Sequence, residues 1–195
     1  LNYRDVKYLL AKHAIQVDSS HSSWVKNGAD HYYSIGYGFG KMNILDAIDD
    51  CQSDYLPRPE EKSFETSVEV NQDIPYSGNA LDISIDIEEN KKVEWVGITL
   101  DAELSDMGEY EFILTSPAGT RIQLLHANNS VAGRSLKTTD YIMQYHSDNS
   151  FRLSALGFLD EQSHGQWHLQ IIDGITDNNQ TERLIKKVKM EILAY

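Results

Sequence analysis

The sequence predicts a mainly β protein, an antiparallel sandwich or barrel preceded by two helices. Three observations carry that expectation. After residue 51 apolar residues recur with a period of two in run after run, the mark of strands that bury one face. Short turn-forming stretches separate those runs, and almost nothing beyond residue 51 has helical spacing. Charge shifts at the same place: residues 1–50 carry 5 basic and 6 acidic groups, whereas residues 51–195 carry 12 and 24.

The amino-terminal elements come first. A helix is expected over 2–15, with Asn2 as its cap, Asp5 in the capping-box position and Val6, Leu9, Leu10 and His13 on one face. That stripe needs a partner. A polar stretch runs on to Asp30, glycines 36, 38 and 40 then break the chain, and a short helix is expected over 43–50 with Asn43 and Asp46 at its start. Fifty residues with so little apolar content would bury too small a core to stand alone. The stretch 51–62, "CQSDYLPRPEEK", has two prolines and several charges and reads as a linker.

The strands follow. Phe64, Val68 and Val70 open the pattern, and Leu81, Ile83, Ile85 and Ile87 then share one face while Asp82, Ser84, Asp86 and Glu88 share the other. Val96, Ile98 and Leu100 form the next set. In "EFILTSPAGTRIQLL", 111–125, Phe112 and Leu114 alternate with Glu111, Ile113 and Thr115, and Ile122 and Leu124 with Arg121 and Gln123. Between them Ser116-Pro117-Ala118-Gly119 fits a type I turn, with Pro at the second position and Gly at the fourth. Residues 126–150 read as a long polar connection with a short strand near Tyr141–Met143. Trp167, Leu169 and Ile171 make one further strand; Val188, Met190 and Ile192 make the last.

Composition narrows the partners. The formal net charge of −13 argues against a nucleic-acid backbone as partner, which would demand clustered cations. No apolar run approaches the roughly 20 residues that cross a bilayer, and "LNYRDVKYLLAKHA" lacks a signal-peptide cleavage pattern. Cys51 is the single cysteine, so no internal disulfide forms, and it reads as a linker bystander rather than a nucleophile. The sequons Asn128-Asn129-Ser130 and Asn179-Gln180-Thr181 would matter only in a eukaryotic secretory pathway.

Candidate chemistry is sparse. There is no Gly-x-Ser-x-Gly elbow, so the many Ser, His and Asp residues do not by themselves make a triad. His164 and His168 are four apart, but Gly165 between them and the strand led by Trp167 argue against a helical metal pair. The acid-rich loops Asp101–Asp106 and Asp173–Asn179 offer carboxylates and amides that calcium could use, without an EF-hand's spacing. For a carbohydrate platform, Trp95 and Trp167 fall inside strand patterns and read as packing, while Trp24, Tyr32, Tyr33 and Tyr37 fall in irregular chain.

Five stretches, in order, resemble one family. "LNYRDVKYLLAKHA" resembles the helix after the catalytic serine in subtilisin-like proteases of the kexin and proprotein-convertase branch, where Leu-Thr-Trp-Arg-Asp-Val is typical. "YGFGKMNILDAI" resembles the end of that catalytic domain. "VEWVGITL", "GEYEFILTSPAGTRIQLL" and "GQWHLQIIDG" resemble strands of its P domain, or Homo B, with the Leu-Thr-Ser-Pro-x-Gly-Thr hairpin and the Gly-x-Trp-x-Leu-x-Ile-x-Asp strand. Asn2 and Tyr3 stand in place of Thr and Trp, and Glu109 and Tyr110 in place of Asp and Leu. The missing cysteine pairs point to a bacterial member.

The resemblance implies a jelly-roll β-sandwich over 63–195, a linker over 51–62, and over 1–50 the C-terminal segment of a subtilisin-like α/β peptidase domain. It implies serine-catalysed peptide hydrolysis by the parent protein, with the nucleophile in a Gly-Thr-Ser motif just before the first helix and the His and Asp further upstream. None of these lies in this sequence. No catalytic, cofactor-binding or metal residue is therefore assigned, and the expected chain is a noncatalytic support for folding and stability, secreted or extracytoplasmic, partnered by the catalytic domain of the same protease rather than by nucleic acid or membrane. Calcium is the one cofactor left open, on account of the acid-rich loops. The alternative is a lectin-like sandwich that holds a glycan or other extracellular ligand on the 126–150 loop or exposed Tyr residues.

Overall fold

The computed structural model describes residues 1–195 except 54, 77, 105–106, 128–150 and 175–181. The short strand expected near Tyr141–Met143, both sequons and most of the acid-rich loop 173–179 lie outside the described residues, whereas Asp101 to Leu104 of the other expected loop continue strand Val93–Leu104. Helices α1 (Tyr3–Lys12) and α2 (Ile44–Gln52) flank a small hairpin of β1 (Trp24–Lys26) and β2 (Tyr32–Ser34). The strands β3 (Lys62–Asp73), β4 (Ala80–Ile87), β5 (Val93–Leu104), β6 (Tyr110–Thr115), β7 (Arg121–Leu125), β8 (Phe151–Ala155), β9 (Gly165–Asp173) and β10 (Arg183–Ala194) follow.

These eight strands form two four-stranded antiparallel sheets, β3-β10-β5-β8 and β4-β9-β6-β7. Two facing sheets of this kind are the jelly-roll solution to exposed sheet edges. The alternation seen in the sequence sets their inner faces. Leu81, Ile83, Ile85 and Ile87 from β4 meet Val96, Ile98 and Leu100 from β5, Trp167, Leu169 and Ile171 from β9, and Val188, Met190 and Ile192 from β10, all buried. Trp167 Nε1 keeps a hydrogen bond to the Ser163 carbonyl (2.9 Å), so its burial leaves no donor stranded.

Some elements differ from expectation. Helix α1 stops at Lys12 instead of reaching 15, because Ile15 leaves the helical path to pair with Lys41 across an antiparallel bridge. Cys51 sits in α2 rather than in a linker, since the cap at Asn43 starts a helix that continues to Gln52. Trp24, Tyr32 and Tyr33, expected in irregular chain, belong to the β1–β2 hairpin. In β10 a bulge between Ile185 and Lys187 resets the alternation, which puts Ile185 into the core alongside Val188. Ile113, expected on an outward face, is buried, because the β1–β2 hairpin covers the outer side of β6 and β7.

The Ser116–Gly119 corner is the type I turn that its composition dictates. The Gly119 N–H donates to the Ser116 carbonyl (2.9 Å), and the Thr120 N–H to Ser116 Oγ (3.2 Å). Gly119 itself has φ +86°, which a Cβ would penalise.

Candidate functional site

The most concentrated chemistry lies where the amino-terminal segment meets the sandwich. At the start of α1, Asn2 Oδ1 caps the helix by accepting from the Arg4 and Asp5 amides (2.8 and 3.0 Å), and the Asn2 amide donates to Asp5 Oδ2 (2.7 Å). The other Asp5 oxygen reaches outward: it accepts from the Tyr55 hydroxyl (2.9 Å) and the Arg58 amide (2.8 Å). One carboxylate thus both caps the helix and ties it to the connection before β3. Burial pushes the Asp5 carboxyl up, but these hydrogen bonds outweigh it and hold the group below its usual range.

Arg58, between two prolines, is the hub. Its guanidinium donates through Nε to Glu94 Oε1 (2.9 Å) on β5 and through Nη2 to Asp160 Oδ1 (2.9 Å) in the turn before β9. The Tyr8 ring from α1 and the Tyr195 ring from the end of β10 lie on it, each 4.0 Å from centroid to guanidinium carbon. Arg4 extends the network, donating to Glu94 through Nε (3.0 Å) and Nη2 and to the Pro59 carbonyl through Nη1 (2.8 Å). Tyr195 donates its hydroxyl to Asp160 Oδ1 (2.9 Å), and His31 Nε2 donates to Asp160 Oδ2 (3.1 Å).

The electrostatics follow from that geometry. Burial pushes the Asp160 carboxyl up, yet hydrogen bonds from His31 and Arg58 and the Arg58 charge hold it far below the carboxylate range. Glu94 behaves alike: burial raises it, and the hydrogen bonds from Arg4 and Arg58 bring it down. Burial, and then the neighbouring Asp160 charge, push the Tyr195 hydroxyl up. The two arginines and two carboxylates are thus charged and mutually satisfied near neutral pH, an arrangement suited to clamping two parts of the chain together and not to trading protons.

A second contact lies at the Ser116–Gly119 corner. The Gly28 amide donates to Thr120 Oγ1 (3.0 Å) and to Glu161 Oε1 (2.7 Å), and the Thr120 hydroxyl also donates to Glu161 Oε1. Val25 and Tyr33 of the hairpin pack against the sandwich core beside it. The corner is therefore part of a docking surface as well as a turn.

A cleft of about 620 Å³ opens between these bodies, lined by Tyr8, Leu10, Phe39, Trp95, Arg152 and Leu193 among others. The Trp95 ring sits against Gly97, where a Cβ would come within 2.2 Å of it, and Arg152 covers it at 4.8 Å.

The sequence-based candidates are placed as follows. His164 is exposed in the irregular chain just before β9, and His168 lies on a sheet face with Nδ1 3.0 Å from Asp82 Oδ1. Among the described residues no three His, Cys, Asp or Glu side chains converge in a metal-binding group. Trp167 is core, Trp95 is cleft lining, and Trp24 stacks on Tyr37 at 5.7 Å. The 126–150 loop invoked for glycan binding lies mostly outside the described residues. Sequence reasoning missed Arg58, Glu94, Asp160 and Tyr195. The available signal was Pro57-Arg58-Pro59, an arginine whose flanking backbone angles are fixed in advance.

Comparison with known proteins places this geometry. Residues 93–188 match the proprotein convertase P-domain. A microbial serine proteinase of Aeromonas salmonicida is 24% identical over 203 residues, covering 89% of this chain and 32% of that protein. An extracellular serine protease of Aeromonas sobria is 24% identical over 220 residues, covering 97% of this chain and 34% of that protein. The chain thus spans about a third of the length of these curated relatives. The crystal structure of the Aeromonas sobria serine protease superposes with a TM-score of 0.84 at 21% identity, over 100% of this chain and 40% of that one. The same protease in complex with its chaperone gives 0.83 at 22% identity, with the same coverage. The fold is shared throughout. Over the matched stretch 93–188 the sandwich is a proprotein convertase P-domain, of the noncatalytic kind carried by subtilisin-like serine proteases.

Proposed function

We propose that the chain supports the folding and stability of a secreted subtilisin-like serine endopeptidase, with residues 1–50 the tail of the peptidase domain, 51–62 the connection and 63–195 the P domain. One observation carries the reading. The amino-terminal segment is fastened to the sandwich on one side by the Arg4–Glu94–Arg58–Asp160 network and is apolar on the other. Twelve of the fourteen large apolar side chains exposed among the described residues fall within residues 1–56, including Ile44, Leu45 and Ile48 on one side of α2. Such a concentration marks a surface made to be covered, and the relatives' additional length supplies a body to cover it. A relative solved with a chaperone makes assisted folding of the parent protease consistent with the same role.

The test uses the parent protease. Arg58→Met in the full protein lowers the yield of soluble, active enzyme and its melting temperature, while the chain 1–195 alone hydrolyses no dibasic peptide substrate. Turnover by the purified chain, or a parent protease indifferent to loss of Arg58, would refute the reading.

A further inference from the structure

The dipeptide Asn27-Gly28 follows β1, at the start of the loop that joins it to β2. Such pairs are thermolabile in flexible chains, because the glycine amide reaches the preceding side chain unhindered by a Cβ. Here every group that this attack needs is engaged. Asn27 Nδ2 donates to the carbonyls of Gly157 (3.0 Å) and Leu159 (2.9 Å), and its Oδ1 accepts from the amides of Ala29 and His31 (2.9 Å each). The Gly28 proton that would have to leave is held against Thr120 Oγ1 and Glu161 Oε1. Packing also enforces the pair. A Cβ at position 28 would lie 2.5 Å from that of Ala118, and no other side chain of this length offers Asn27's two donors and its acceptor.

We propose that Asn27 is a covalent modification site, a deamidation site that opens only when the β1–β2 hairpin lifts from the sandwich and that then prevents its return. In that step the Gly28 amide gives its proton to hydroxide and its nitrogen bonds to Asn27 Cγ. The Cγ–Nδ2 bond breaks, and Nδ2 leaves as ammonia after taking a proton from water. Water then opens the cyclic imide at either carbonyl, which yields an aspartyl or isoaspartyl residue. The net change consumes one water and releases one ammonia, with no oxidant or reductant. The product sets a carboxylate against the Gly157 and Leu159 carbonyls, acceptor facing acceptors at a site only 5% exposed. The mark therefore accumulates with time spent undocked and is not reversed by redocking.

The test incubates the whole chain at mildly alkaline pH beside a synthetic peptide of residues 25–31, and follows residue 27 by peptide-mapping mass spectrometry. Only the opened fraction reacts, so the chain deamidates at least about tenfold more slowly than the peptide. Thr120→Val, which removes an anchor of Gly28, accelerates it. In the Asn27→Asp protein the amides of Gly28, Ala29 and His31 lose hydrogen-exchange protection while those of Ile83 and Leu169 keep it. Equal rates in chain and peptide, an unchanged rate in Thr120→Val, retained protection at Ala29 and His31, or protection lost through the whole sandwich would each overturn the proposal.

Discussion

Arg58 joins three parts of the molecule, and its removal leaves Glu94 with Arg4 alone and Asp160 with His31 and Tyr195. Its side chain is 4% exposed, that of Asp160 10% and that of Glu94 13%. Breaking a buried pair from one side costs about 3–5 kcal/mol, because the remaining charge is left uncompensated. Arg58→Met should lower stability by up to that amount in denaturant titrations, since Arg4 still holds Glu94 and His31 and Tyr195 still hold Asp160. Arg58→Lys should recover only part of it, since an ammonium cannot reach Glu94 and Asp160 together or lie flat between Tyr8 and Tyr195. At Gly97 the reason for a glycine is equally local: the Trp95 ring occupies the space of a side chain. Gly97→Ala should displace that ring and destabilise by about 1–3 kcal/mol, visible as a change in near-ultraviolet dichroism. The alternating pattern marked both strand positions in the sequence. It could not mark Arg58 as buried, because its partners lie 36 and 102 positions away.

Elements were legible where a local rule acts. Asn2, Asp5 and Asn43 announce their helix starts because capping involves neighbours within three residues. The Ser116–Gly119 turn is written in its own four residues. The β10 bulge was not legible, since two partner strands jointly decide where an extra residue is absorbed. Nor was the β1–β2 hairpin, which has three residues per strand and is held chiefly by what it docks on. Helix α2 separates the two influences. Its cap comes from sequence, whereas the exposure of Ile44 (56%), Leu45 (75%) and Ile48 (45%) belongs to the tertiary arrangement. Leu45→Glu should change the stability of this chain by less than about 0.5 kcal/mol, as surface substitutions do. In the full protease the same change should reduce the yield of folded enzyme, measured as activity per mole expressed.

For the molecule as a whole, acid should open the junction. The carboxyls of Asp5, Glu94 and Asp160 all titrate below their ordinary values when folded, so the unfolded chain takes up their protons first. Their contribution is complete above the unfolded value of about 4 and is lost as the pH falls through the lower folded values. Melting temperature should hence vary little on their account from pH 8 to about 5 and fall below about 4, and Asp160→Asn should flatten that fall. By itself the sequence determined the sandwich class, the strand faces, the helix caps and the corner turn, because each follows from a period or a contact among near neighbours. Tertiary structure alone decided that Ile113 is covered, that the presumed linker carries a buried arginine, and that the Ser116–Gly119 corner receives Gly28. Those outcomes depend on residues far apart in the chain meeting in space, and on charges that remain buried only because every partner arrives together.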